Sequence, residues 1–205
     1  LIDYQGDILD WEKYEPTTGI WVSAINTGHR QSFYNITETV KYRAIVQNKF
    51  CTPDTTDAIT IGVSKISVGG TLTGSTEACK GVGYSEFNLI DYTGDLFTWQ
   101  KSASSLGPWS NLGETSTKLR IDNNGASAFY RVQVKSGVCS SDNSNMVRHI
   151  IYDATVPGKI IGGGDVCENS NNGVLELVGY TGTVVDWEKQ NTDGSWEPLG
   201  FDGDL

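Results

Sequence analysis

LIDYQGDILDWEK, residues 1–13, returns as LIDYTGDLFTWQK at 89–101 and again as LVGYTGTVVDWEK at 177–189. The interval is 88 residues both times (89 − 1 and 177 − 89). A phrase restated at a fixed period marks a repeat architecture, in which each copy is one structural unit. Other landmarks keep the same register. Tyr42-Arg43-Ala44 returns as Tyr130-Arg131-Val132, Cys51 as Cys139, Cys79 as Cys167 and Trp21 as Trp109. Trp196 stands one residue early in the third copy, consistent with a one-residue loop deletion. All six tryptophans and all four cysteines are thereby repeat positions, with none left over.

The middle copy reads as a row of short strands. Residues 66–74 suggest strand A, 84–92 B, 95–101 C after a Thr-Gly turn, 117–122 E, 128–135 F and 145–152 G, with a short piece near Trp109. Stretches rich in β-branched and aromatic residues alternate with period two, and helical periodicity is absent. Short strands with turn signals every 8–12 residues predict an all-β sandwich or barrel. Parity assigns the faces. Phe97 and Trp99 share one side of C, and Tyr130, Val132 and Val134 one side of F, leaving Gln100, Arg131 and Gln133 outside. A buried Trp on C and a Tyr early in F are the core marks of an immunoglobulin-like sandwich. Trp11, Trp99, Trp187, Tyr42 and Tyr130 are the expected core residues on this reading. Glu12 and Arg43 face outward on neighbouring strands and form a cross-strand pair, worth under about 1 kcal/mol. Gln100 and Arg131 hold the same places in the second copy.

Three immunoglobulin-like β-sandwich repeats follow: 1–64, N-terminally incomplete and lacking strand A; 65–152, complete; and 153–205, C-terminally incomplete and lacking E to G. The junctions are brief, with AITIGV at 58–63 passing almost directly into the next strand and only DATVPG at 153–158 before the third copy. Linkers this short predict a stiff rod. Leu1 falls inside a copy, so the chain is expected to be part of something longer.

Apolar residues make up 38% and charged residues 20%, enough for a modest core in each copy. The formal net charge is −10, which argues against nucleic acid or an anionic membrane as partner. No window of 18 or more apolar residues occurs, so no membrane insertion by these residues is expected.

Pairing Cys79 with Cys139 inside one copy conflicts with the strand assignment. The mid-strand slots that an inter-sheet disulfide would use hold Phe87 and Val132, and the two cysteines fall at opposite ends of the sandwich. The expectation is that Cys51, Cys79, Cys139 and Cys167 staple neighbouring repeats through partners outside this chain, with no two of them bonded to each other. Cysteines at regular positions in an acidic β-repeat suit an oxidising, extracytoplasmic setting.

Chemistry is sparse. His29 and His149 have no counterpart in another copy, and both read as isolated surface residues. No nucleophile elbow, zinc signature or phosphate-binding loop is present. Asp122-Asn123-Asn124-Gly125 has a calcium-like composition without the spaced ligand set, so a turn is the expected reading. No catalytic residue, metal or cofactor is assigned. Asn35-Ile36-Thr37 is a sequon. Trp21, Trp109 and Trp196 follow Gly-rich turns and are the candidate ligand-facing aromatics.

Residues 166–188, VCENSNNGVLELVGYTGTVVDWE, with YRAIVQNKFC at 42–51, resemble the tandem immunoglobulin-like repeats of very large cell-surface and secreted proteins of Bacteroidetes, including gliding-motility adhesins and type IX secretion cargo. The resemblance covers the whole chain. It implies export, display at the extracellular cell surface and a non-catalytic stalk or adhesin role. Expected partners are neighbouring repeats and surface polysaccharide or other cell-surface ligands. It also implies O-glycosylation at Asp-Thr-Thr triplets, which makes Thr55 in Asp54-Thr55-Thr56 a candidate. The alternatives are a carbohydrate-binding module and a spacer attached to a secreted hydrolase.

Overall fold

A computed structural model describes residues 4–200. Leu1 to Asp3 of the opening phrase, and residues 201–205 of the third copy, lie outside the described residues. The described residues contain eighteen strands and no helix. Two compact units form. The first takes in the described residues up to Ile66 together with Ser136–Cys139, and the second holds Ser67–Lys135 and the described residues from Ser140 onward.

In the first unit, β1 (Asp7–Glu15), β2 (Ile20–Ser23), β3 (Val40–Gln47), β4 (Asp54–Thr55) and β5 (Ile59–Ile61) make one sheet of order β2-β1-β3-β4, with β5 also on β3. β1 and β3 are antiparallel, and a register shift between Ile8 and Asp10 separates two in-phase stretches. Ile8, Val40, Tyr42 and Ala44 are buried on this sheet, while Trp11 is half-buried. Ser23's hydroxyl, and then the Asn26 N–H at 3.2 Å, hold the Asp10 carboxyl below the usual carboxylate range. A folded-state value below the unfolded one gives stability that is present above about pH 4 and lost as pH falls further. An NMR titration should find Asp10 ionised below the ordinary aspartate range, and Ser23→Ala should move its midpoint up.

The second unit begins with β6 (Thr71–Gly74), β7 (Glu77–Cys79), β8 (Tyr84–Ile90), β9 (Leu96–Ser102), β10 (Ser110–Asn111), β11 (Lys118–Asp122), β12 (Ala128–Lys135), β13 (Asp142–Asn143) and β14 (Val147–Tyr152). One sheet runs β10-β9-β12-β14-β7, with β13 also on β12, and the other β11-β8-β6. Their inner faces meet in one core. Leu72, Phe87, Leu89 and Leu119 come from the three-stranded sheet, and Trp99, Ala128, Tyr130, Val132 and Val134 from the other. This is a β-sandwich built on period-two alternation, as the burial of Ala128, Tyr130, Val132 and Val134 along β12 records. Phe87 stacks on Tyr130 at 5.2 Å between ring centroids, and burial pushes the Tyr130 phenol up.

The first strand of this unit is not the single run at 66–74 that the sequence suggests. β6 pairs with β8, and the chain then crosses to the other sheet, where β7 runs parallel to β14. Gly74, at φ +144°, makes the change of direction, and its missing Cβ is needed because Glu86 O and Phe87 Cα lie where that atom would go. Further on, β15 (Lys159–Ile161) pairs with β16 (Glu176–Val178), and β17 (Glu188–Gln190) with β18 (Trp196–Pro198).

Contacts in the two units recur at the sequence interval. Trp11 Nε1–H donates to Gly28 O at 2.8 Å, and Trp99 Nε1–H to Ser116 O at 2.7 Å, each partner 88 residues on (99 − 11 and 116 − 28). Ala44 N–H donates to the Thr56 hydroxyl at 3.0 Å, and Val132 N–H to the Ser144 hydroxyl at 2.9 Å. An isolated bridge joins Val68 to Thr93, and another joins Val156 to Thr181. The turn glycine of the repeated phrase has positive φ in every copy: +107° at Gly6, +151° at Gly94 and +123° at Gly182.

Candidate binding face

The outward sides of β1–β3 and β9–β12 carry the polar and aromatic residues that the alternation leaves outside. In the first unit, Glu12 lies directly opposite Arg43, and Arg43 Nε–H donates to Glu12 Oε2 at 2.7 Å. The Arg43 guanidinium lies 4.3 Å from the centroid of Trp21, and Trp21 meets Tyr14 at 5.3 Å. Arg43 is thus held between a carboxylate and an indole. Both charged side chains remain partly solvated, so Glu12→Gln should cost less than about 1 kcal/mol in a chemical-denaturation measurement.

The second unit repeats the geometry with different charge. Arg131 lies 4.1 Å from the Trp109 ring centroid, and its Nε–H donates to Gln100 Oε1 at 2.7 Å. Gln100 in turn donates through Nε2 to Asn111 Oδ1 at 3.1 Å. Trp109 follows the cis Gly107–Pro108 bond that turns the chain from β9 into β10. Trp21 and Trp109 are half-buried, each with a guanidinium over its ring, whereas Trp196 is 61% exposed. The sequence placed these rings near turns and each arginine beside its cross-strand partner, but no spacing shows that an indole covers the guanidinium. The cross-strand partner of each arginine, one residue after the tryptophan of the repeated phrase, was the available signal.

The expected core residues divide by exposure. Trp99, Tyr42 and Tyr130 are buried, while Trp11 and Trp187 are half-buried. Thr55 is exposed on β4, with its N–H bonded to Asp54 Oδ1 at 2.8 Å. All four cysteines are free thiols. Cys79 ends β7 opposite Tyr152, and the Cys139 thiol donates to Ser64 O at 3.6 Å within the first unit.

His149 corrects the surface reading. It is 1% exposed, edge-on to Phe87 at 5.6 Å, because β14 alternates and residue 149 falls inward. Its counterpart Ile61, apolar in the first copy, was the sequence sign of an inward position. Nε2 lies 3.4 Å from Asn123 Oδ1, and Nδ1 has no partner among the described residues. Asn123 is itself buried, accepting from Ser85 Oγ at 2.8 Å and donating to Val82 O at 2.8 Å. The Asp122 to Gly125 stretch is therefore a turn pinned by Asn123. A buried acceptor without a donor costs about 1–3 kcal/mol, so His149→Ile should raise the unfolding midpoint of the second unit. A lowered midpoint in thermal or urea unfolding would mean that the imidazole contributes more than its missing partner costs.

Among the described residues no group of three or more His, Cys, Asp and Glu side chains is placed to hold a metal ion. No helix there is long and apolar enough to cross a membrane.

A family model described as a domain of unknown function (DUF8696) matches residues 68–152. The matched stretch runs from the Val68–Thr93 bridge to the last residue of β14. The middle of the chain is thus similar to that family, whose description assigns no activity. No curated protein matches the chain.

Proposed function

We propose that the chain is a non-catalytic stretch of tandem immunoglobulin-like repeats, 88 residues each, forming a stiff stalk or adhesin filament at an extracellular cell surface. The observation that carries this reading is the recurrence of packing contacts at the sequence interval. The Trp–carbonyl bond, the hydroxyl-capped strand N–H and the arginine–indole stack all return 88 residues on. Every one of these contacts orders strands. The short stretch between β14 and β15, at 153–158, favours stiffness. In this reading the free cysteines pair with cysteines of neighbouring repeats, and Thr55, on an exposed strand, carries a glycan. Intact mass of native material tests the glycan, and an unmodified Thr55 would remove it.

Small-angle scattering tests the stalk. A single compact body of this length has a radius of gyration of about 17 Å and an unfolded chain about 49 Å. The stalk reading expects a value between these with the scattering of an elongated particle, and a value at the compact limit would exclude it.

A further inference from the structure

The two arginine–indole stacks differ in one neighbour, and that difference leaves one cation uncompensated. Arg43 bonds a carboxylate, Glu12, so its charge is neutralised in place. Arg131 bonds the neutral amide of Gln100 at the same geometry and has no ion pair among the described residues. Its Nε is used, and its terminal amino groups make no hydrogen bond there. Trp109 at 4.1 Å and Gln100 at 2.7 Å fix the guanidinium in advance, so little side-chain entropy is lost when it meets an anion.

The surroundings suit an anion as well. β9, β10 and β12 carry no Asp or Glu in a chain of net charge −10. Arg148, exposed on β14, lies directly opposite Phe129 of β12, and Phe129 lies opposite Ser102 of β9. Of the strand-borne carboxylates nearby, Asp142 of β13 lies opposite the inward-facing Val134 and accepts from the Gly69 and Asn143 N–H groups at 2.9 Å each, and Glu77, on the far edge strand β7, accepts from the Tyr152 hydroxyl at 3.3 Å. The outer face therefore presents two arginines with a half-buried indole and a half-buried phenyl ring.

We propose that this face of the second unit binds a uronate-bearing polysaccharide. The planar carboxylate matches the guanidinium fork of Arg131 in a two-point contact, and Arg148 adds a second positive charge. The apolar face of a pyranose ring packs against Trp109 or Phe129, and amides such as Gln100 and Asn111 satisfy its hydroxyls. An acidic peptide would use the arginines but leave the aromatic rings without a role. The site is independent of the stalk reading, and its failure would leave the scattering result untouched.

The test is calorimetric titration of the full chain with polygalacturonate, with dextran and poly-glutamate as comparison ligands. Polygalacturonate should bind, weakening as salt is raised, and dextran should not. Gln100→Glu recreates the Glu12–Arg43 pair in the second unit and should weaken binding by about tenfold or more while leaving the unfolding midpoint in place. Trp109→Ala should weaken it too. Glu12→Gln, which frees Arg43 in the same way, should strengthen binding or add a second site. The proposal is overturned by absent polygalacturonate binding, by a Gln100→Glu variant that binds like the parent, or by poly-glutamate binding as tightly as the polysaccharide.

Discussion

Trp99→Ala should unfold the second unit or bring it close to unfolding, whereas Trp11→Ala should cost the first unit much less. Trp99 is fully buried in the shared core, and its Nε1–H is committed to Ser116 O. Truncating a buried tryptophan costs about 3–5 kcal/mol, against a total stability of about 5–15 kcal/mol for a domain. The loss combines transfer of the indole, the cavity left between two sheets, and a carbonyl deprived of its donor. Trp11 makes the same hydrogen bond to Gly28 O but is only half-buried, so less contact is lost. Circular dichroism with site-resolved hydrogen exchange would give the ordering. Equal losses at the two positions would mean that residue 99 does not sit in a filled core.

The second large effect is expected at Gly94. This residue turns the chain between Thr93 and Asp95 at φ +151°, and Asp95 N–H then donates to Lys135 O at 3.1 Å. A Cβ at Gly94 would lie 2.7 Å from both Lys135 O and Val134 Cγ1. Val134 is fully buried, so neither neighbour can move aside cheaply. Strained backbone and overpacking together put Gly94→Ala at about 3 kcal/mol. Gly125 serves as the control. Nothing lies within 4 Å of its Cβ position and its φ is outside the positive range. Gly125→Ala should be neutral or slightly stabilising. Urea unfolding of the two variants, with the slope checked for constancy, separates a steric effect from a general intolerance of lost glycines.

These two positions also explain why much of the fold was legible in the sequence. The turn glycine and the strand tryptophan belong to the repeated phrase, and both are fixed by local rules, a positive φ and a period of two. Such rules act within a few residues and leave a readable trace. β7 left no such trace. It is three residues long, and its pairing with β14 joins Glu77 to Ile150 across more than seventy residues. Nothing in Glu77-Ala78-Cys79 marks a parallel edge strand. His149 was misplaced for a different reason. Residue type argued for the surface, parity argued for the core, and parity won because β14 is clamped between β12 and β7. The arginine–indole stacks were half legible. Cross-strand register predicted Glu12 beside Arg43, but which face of Trp21 or Trp109 the guanidinium covers depends on how the β1–β2 and β9–β10 turns bring the ring back over the sheet. That geometry is set by turn conformation, and a spacing pattern does not carry it.

In the proposed stalk, the 88-residue repeat is the folded, load-resisting unit. Single-molecule stretching of the chain between its ends tests this most directly. Unfolding of the proposed second repeat should appear as one abrupt step that releases about 300 Å of contour length, the extended length of 88 residues at roughly 3.5 Å each. Gradual extension without such a step, or a single step spanning the whole chain, would contradict the account.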